Sequence, residues 1–83
     1  MGSNLMEISF EAARFLEISF GPNLTERILA VDHDLSEDNV PFVLVSTEGD
    51  PSYVQERLPN SVRVAQQDVA IIVKEFKPTQ EMN

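Results

Sequence analysis

Residues 41–59, PFVLVSTEGDPSYVQERLP, carry the clearest structural signals in this chain. Residues 42–47 are β-branched and apolar on both faces, which predicts a strand near the centre of a sheet. Asp50 then precedes Pro51, and an Asp at the N-cap with a Pro at the first helical position predicts the start of a helix. Pro59 ends that helix after about two turns. Because so short a helix is not stable alone, it must pack against the sheet.

Two interpretations are possible for residues 5–20, which precede this stretch. The segment EISF occurs at residues 7–10 and again at 17–20, and its apolar residues lie two apart, as in a half-buried strand. The apolar residues of 5–15 also fit helical spacing, and residues 11–14 are good helix formers. We favour two strands joined by an Ala-rich turn. Gly21-Pro22-Asn23 then predicts a hairpin turn into a strand over 25–32, with residues 33–39 as an exposed loop.

The last third of the chain also fits two structures. Its apolar residues follow helical spacing over residues 61–76. The runs Val62-Arg63-Val64 and 69–73 are nevertheless rich in β-branched residues, which favours strands. We expect strands here, with the hairpin turn at Gln66-Gln67-Asp68.

These signals predict one α+β domain over residues 1–83, with flexible ends at 1–4 and 77–83. We expect a mainly antiparallel sheet of about five strands and one short helix near 51–58. The runner-up has helices at 11–20 and 61–76 beside a smaller sheet. The five phenylalanines are expected in the core.

Charge is distributed unevenly along the chain, whose net charge is -8. Between Arg27 and Arg57 there are seven of the 14 acids and no Lys or Arg. Such a block must be solvated, bind cations or face a basic partner. A sequence pI of 4.3 disfavours direct contact with nucleic acid, whose phosphates would repel the surface. No apolar run is long enough to predict a membrane partner.

Chemistry-bearing motifs are scarce. The chain has no cysteine, which excludes thiol catalysis, disulfides and thiolate metal sites. His33 lies between Asp32 and Asp34, but neighbouring residues of a strand point to opposite faces. The calcium-loop pattern fails because Glu37 occupies the position that requires Gly. We therefore expect no enzyme, no cofactor and no metal site.

The sequence thus predicts a small non-catalytic binding protein, an adaptor or inhibitor, that docks a basic protein. One version of this partner is itself a nucleic-acid-binding protein. We expect a cytoplasmic location and favour a homodimer, because an uncovered apolar strand invites pairing. The predicted binding residues are Asp32, Asp34, Glu37, Asp38, Glu48, Asp50 and Tyr53. Two alternatives remain: a structural subunit whose acidity serves solubility, and a weak metal-dependent enzyme that uses His33 and its neighbouring carboxylates.

Overall fold

The computed structural model describes residues 4–20 and 27–76. They form two helices and four strands in an α+β domain, so the predicted fold class is confirmed. The elements in chain order are α1 (Leu5–Ser19), β1 (Ile28–Leu35), β2 (Pro41–Thr47), α2 (Pro51–Gln55), β3 (Ser61–Val64) and β4 (Gln67–Glu75).

The four strands form one mixed sheet in the order β1-β2-β4-β3. Strands β1 and β2 pair antiparallel, as do β3 and β4, whereas β2 and β4 pair parallel. Strand β2 is central, as its two-sided apolar sequence predicts. The expectation of about five mainly antiparallel strands needs correction, because the described sheet has four strands and a parallel pair at its centre.

The largest departure from the sequence prediction is α1, which replaces the two strands expected before Gly21. Buried Ile8, Ala12 and Leu16 recur every four residues, so they form one apolar helical stripe. The Asn4 side chain caps the helix by accepting from the backbone N–H groups of Met6 at 3.0 Å and Glu7 at 3.3 Å. The period-two echo of EISF is therefore not a strand signal here.

Other boundaries differ from the predicted ones by a few residues, and α2 ends at Gln55 instead of near residue 58. The predicted turn at Gly21-Pro22-Asn23 lies outside the described residues. Strand β1 continues to Leu35, so residues 33–35 are strand and only part of the predicted loop remains. Residues 61–76 form the two strands of a hairpin, as expected, and the helix of the runner-up is wrong there. Their turn falls at Ala65 and Gln66, one residue earlier than predicted.

One face of the sheet, called the covered face, carries the core. Val43, Val45 and Val69 have no exposed surface, and they join α1 residues and Val54 of α2 in one cluster. The phenylalanines are not its centre, contrary to expectation. Phe10, Phe15 and Phe76 are 45%, 48% and 52% exposed.

The opposite face is called the open face. The strand register assigns it Phe42, Leu44 and Ser46 of β2, which alternate with the fully buried residues of that strand. Their partners are Ala70, Ile72 and Lys74 on β4, and Ala30, Asp32 and Asp34 on β1. Arg63 of β3 and Asp68 of β4 pair at its margin. The apolar members of the open face are absent from the core cluster.

Neither described helix is long and apolar enough to cross a membrane. The ends expected to be flexible, 1–4 and 77–83, lie outside the described ranges apart from Asn4, which caps α1.

Candidate protein-binding edge

Strand β1 lies at one margin of the sheet and pairs with β2 on its inner side. Backbone N–H and C=O groups on the outer side of such a strand can pair with another extended chain. Asp32 and Asp34 are exposed and lie on the open face, while His33 between them lies on the covered face. Two of the predicted binding carboxylates therefore line an edge that can accept a strand.

The turn after β1 adds Glu37 and Asp38, both exposed. The Ser36 hydroxyl oxygen accepts from the backbone N–H groups of Asp38 and Val40, each at 3.2 Å. Asn39 has φ 62°, a left-handed conformation that Asn tolerates better than most residues. The turn is thus held by its own polar groups, and its two carboxylates project from one end of the edge strand.

Glu48 and Asp50 lie at the other end of β2. At 3.3 Å per strand residue, that end is about 20 Å from the turn that holds Glu37 and Asp38. Asp50 caps α2 by accepting from the backbone N–H of Ser52 at 2.9 Å. That bond, with a further one from the Ser52 side chain, holds the pKa of Asp50 below its ordinary value of 3.8. The structure therefore gives Asp50 a local role as a helix cap.

Tyr53 also has an internal role. The guanidinium groups of Arg27 and Arg57 lie over its ring, 4.2 Å and 3.7 Å from the ring centre. Both contacts are cation–π interactions. Arg27 also joins this end of the sheet through its carbonyl, which accepts from the N–H of Glu48 at 2.8 Å. The acids at this end therefore have two cations nearby.

The two ends of the acidic block differ in the cations around them: Arg27 and Arg57 stack on Tyr53 near Glu48 and Asp50, whereas Arg14 of α1 lines the same cavity as Asp32. Within residues 4–20 and 27–76, the ion pairs are Arg57 with Glu56 and Arg63 with Asp68. Neither uses the four carboxylates of β1 and its turn. Those four, Asp32, Asp34, Glu37 and Asp38, form what we call the acidic edge. Sequence reasoning identified all four but could not separate them from Glu48, Asp50 and Tyr53.

His33 points away from the acidic edge and packs against α1. Its ring meets the Phe10 ring edge-on, with 5.4 Å between centres. Its Nδ1 lies 3.1 Å from the hydroxyl oxygen of Ser9, and that hydroxyl lies 2.7 Å from the carbonyl of Met6. A serine hydroxyl has one proton, so if Ser9 donates to Met6, then His33 Nδ1 must donate to Ser9.

This tautomer bears on the enzyme alternative. A histidine that donates to a serine cannot take the proton of that serine, and Ser9 has no exposed surface. In the described part of the chain, no three His, Cys, Asp or Glu side chains come together as a metal-binding group. Asp32 and Asp34 lie on the face opposite His33, as the strand alternation predicts.

A groove runs between α1 and β1 beside the acidic edge. It has a volume of about 370 Å³, and its lining includes Phe10, Ala13, Arg14, Val31 and His33. Glu17 and Asp32 line it as well. The groove was not predicted, because it depends on a helix that the sequence pattern presented as strands.

Comparison with known proteins gave no match: no family model matches the chain, and no curated protein or solved structure is significantly similar to it.

Proposed function

We propose that this chain is a small non-catalytic binding module that docks a basic protein segment along the acidic edge. The observation that carries the proposal is the coincidence of an edge strand with four carboxylates that have no cationic partner among the described residues. Added strands gain affinity from backbone hydrogen bonds and specificity from alternate side chains. Opposite charge adds speed of encounter and orientation.

The edge favours a partner of stated pattern. Side chains alternate along an added strand, so every second residue would lie beside Asp32 and Asp34 on the open face. Those positions suit Lys or Arg. The residues between them would face the groove beside Val31 and Phe10, and small apolar side chains suit that position. The proposed ligand is therefore an extended segment in which basic and apolar residues alternate.

Self-pairing of β1 is disfavoured by the same residues. Two copies of β1 paired antiparallel about His33 would set Asp32 directly opposite Asp34 in both directions. Like charges in directly opposed positions destabilise a strand pair. Charged residues on an edge strand are a common protection against unwanted pairing. The acidic edge thus selects against its own copy and for a basic strand.

A cytoplasmic location and a basic partner that itself binds nucleic acid remain parts of this proposal. The homodimer is also a proposal, but it cannot rest on an uncovered apolar strand. The apolar strand expected at an edge is β4, which pairs on both sides within the sheet. A dimer must therefore use another surface.

The test uses a synthetic peptide of alternating Lys and Val, with a peptide of the same composition in blocks as its control. We expect the alternating peptide to shift the backbone amide resonances of β1 and to bind more weakly as salt rises. The block peptide should bind less tightly, because its charges cannot all lie on one face. Equal binding of the two peptides would reduce the interaction to unspecific charge attraction.

A pair of variants tests the location of the site. The triple variant Asp34→Asn, Glu37→Gln and Asp38→Asn should associate more slowly with the alternating peptide, and its association rate should depend less on salt. The matched control is Glu11→Gln, Glu48→Gln and Glu75→Gln, which removes the same charge from exposed positions elsewhere. If both triple variants slow association equally, net charge alone governs the binding of the peptide. That result would support the alternative of a structural subunit. A saturable, metal-dependent shift of His33 resonances, abolished by His33→Ala, would instead support the enzyme alternative.

A further inference from the structure

We propose that a second copy of this chain covers the open face, so that two sheets pack face to face about a twofold axis parallel to the strands. The surface differs from the outer backbone edge of β1, and the dimer does not require a basic ligand.

The centre of the open face is apolar. Phe42 and Leu44 of β2 lie beside Ala70 and Ile72 of β4 in the parallel register. Ile72 is 37% exposed, and Phe42 and Leu44 are half-buried. Within residues 4–20 and 27–76 both helices contribute their buried apolar residues to the cluster on the covered face. A contiguous apolar patch of this kind, rimmed by polar residues, is typical of an interaction site.

Charges on the open face are separated by strand. Asp32 and Asp34 lie on β1 at one side, and Lys74 lies on β4 in the other half. Arg63 and Asp68 form their own pair at 3.2 Å, so they cancel. The face is therefore negative along one margin and positive at Lys74.

This separation selects one of two symmetric arrangements. A twofold interface brings each residue to the same neighbour in both copies. An axis perpendicular to the strands would set β1 over β1 and oppose the aspartates to each other. An axis parallel to the strands sets β1 over β3 and β2 over β4. Only the second arrangement brings the negative side of one copy to the positive half of the other.

The register leaves room for this contact. Lys74 is level with Ser46 on β2, and Ser46 pairs with Ala30 on β1. In the proposed dimer, Lys74 of the second copy lies over these two small side chains and next to Asp32. Packed sheets are about 10 Å apart, a gap that a lysine side chain can span. Leu44 and Phe42 then meet Ile72 and Ala70 of the other copy.

The size of the face sets the expected affinity. Four strands about 4.8 Å apart give a face roughly 19 Å wide, and two copies would bury on the order of 1,000 Å². That is at the lower limit for a specific interface. We therefore expect a dissociation constant on the order of 10 to 100 µM, so the dimer forms only at high protein concentration.

Sedimentation velocity over a concentration series is the first test. Wild type should change from monomer to dimer, and Ile72→Glu should raise the dissociation constant at least tenfold. Ile18→Glu is the matched control, because Ile18 is 66% exposed on α1, in the opposite layer, and its dimerisation should be unchanged. A wild type that stays monomeric at millimolar concentration would overturn the proposal, as would equal effects of both variants.

A charge exchange tests the direction of the axis. Asp32→Lys alone and Lys74→Asp alone should each raise the dissociation constant about threefold to tenfold, and the two together should restore it. Asp32→Lys also reduces the net negative charge, which on its own would favour association. Tighter association of Asp32→Lys would therefore refute the proposed arrangement.

Nuclear Overhauser contacts in a mixed-isotope sample of the full chain identify the occupant. Contacts between the Ile72 methyl groups of one copy and the Leu44 methyl groups of another support the dimer. Contacts from residues 77–83 to Ile72 that occur in a uniformly labelled sample and are absent from the mixed sample would show that the chain covers its own face, and would overturn the dimer. No peptide is present in these tests, so their failure leaves the acidic edge unaffected.

Discussion

The two faces of the sheet are formed by the same strands but differ in how far their side chains are buried. On the covered face, Val43 and Val45 of β2 are fully buried beneath α1. On the open face, Leu44 between them is half-buried beside Ile72, which is 37% exposed. A strand with apolar residues on both sides is usually covered on both sides. The apolar residues of β2 therefore outnumber those that the described fold buries.

Truncation of neighbouring residues in β2 gives the largest expected contrast. Val45→Ala should lower the free energy of unfolding by about 2–3 kcal/mol, because it removes buried methyl groups and leaves a cavity. Leu44→Ala removes more carbon but should cost only about 1 kcal/mol in dilute solution, because that side chain keeps part of its contact with water. Urea unfolding of both variants measures the contrast. Equal costs would contradict an open face.

The polar pair beneath α1 gives the next effect. Ser9→Ala should lower the free energy of unfolding by about 1–2 kcal/mol, because His33 Nδ1 loses its acceptor in a partly buried position. Ser19→Ala on the exposed side of the same helix is the control and should change little. Nitrogen chemical shifts of the His33 ring provide a second readout, and they should indicate a proton on Nδ1 in the wild type. A proton on Nε2 would reverse the assigned tautomer.

A substitution in the β3–β4 turn should stabilise the protein, in contrast to the truncations in β2. Ala65 and Gln66 have φ of 50° and 66°, although neither is Gly or Asn. Gln66→Gly should raise the free energy of unfolding by about 1 kcal/mol, since glycine adopts this conformation without steric cost. Gln67→Gly, one residue later in β4, should instead destabilise the fold. If both changes act alike, the turn stores no strain.

The cap of α2 gives the smallest effect. Asp50→Ala should loosen α2 and the contact of Val54 with the core, while Asp50→Asn keeps a side-chain acceptor. The pKa of Asp50 is lower in the folded protein, so its charged form contributes stability above the unfolded pKa. That contribution is lost as the pH falls through the lower, folded pKa, beneath 3.8. Thermal unfolding midpoints of wild type and Asp50→Asn should therefore converge in acid. A constant difference would exclude the charge.

Sequence reasoning succeeded where a local rule has one physical cause. Asp50 and Pro51 fixed the start of α2 because capping and a preset φ depend on adjacent residues alone. The strands of 61–75 followed from β-branched density. Strand β2 was placed at the centre because its apolar residues lie on both sides, although the parallel partner β4 cannot be read from a local pattern.

It failed where spacing alone had to choose between a helix and a strand. The residues Ile8, Ala12 and Leu16 indicate a helix, but the repeated Ile-Ser-Phe spacing indicates a strand with equal clarity. The deciding signal was Asn4, a good N-cap residue directly before Leu5. The acidic edge was only half predictable. The charge block is visible in sequence, but its division depends on Arg27 and Arg57 meeting Tyr53 in the folded chain.

The parallel pairing of β2 with β4, here called the seam, affects the order of folding. It joins two hairpins whose own strands are close in sequence, whereas its pairs from Phe42–Ala70 to Thr47–Glu75 join residues 28 positions apart. Closing that long loop costs entropy before any seam contact forms, so each hairpin can form ahead of the seam. A chain stopped at that stage would carry two unpaired strand edges, β2 and β4. In a crowded solution, β2 of one chain and β4 of another could then complete each other's sheet by exchange of the second hairpin.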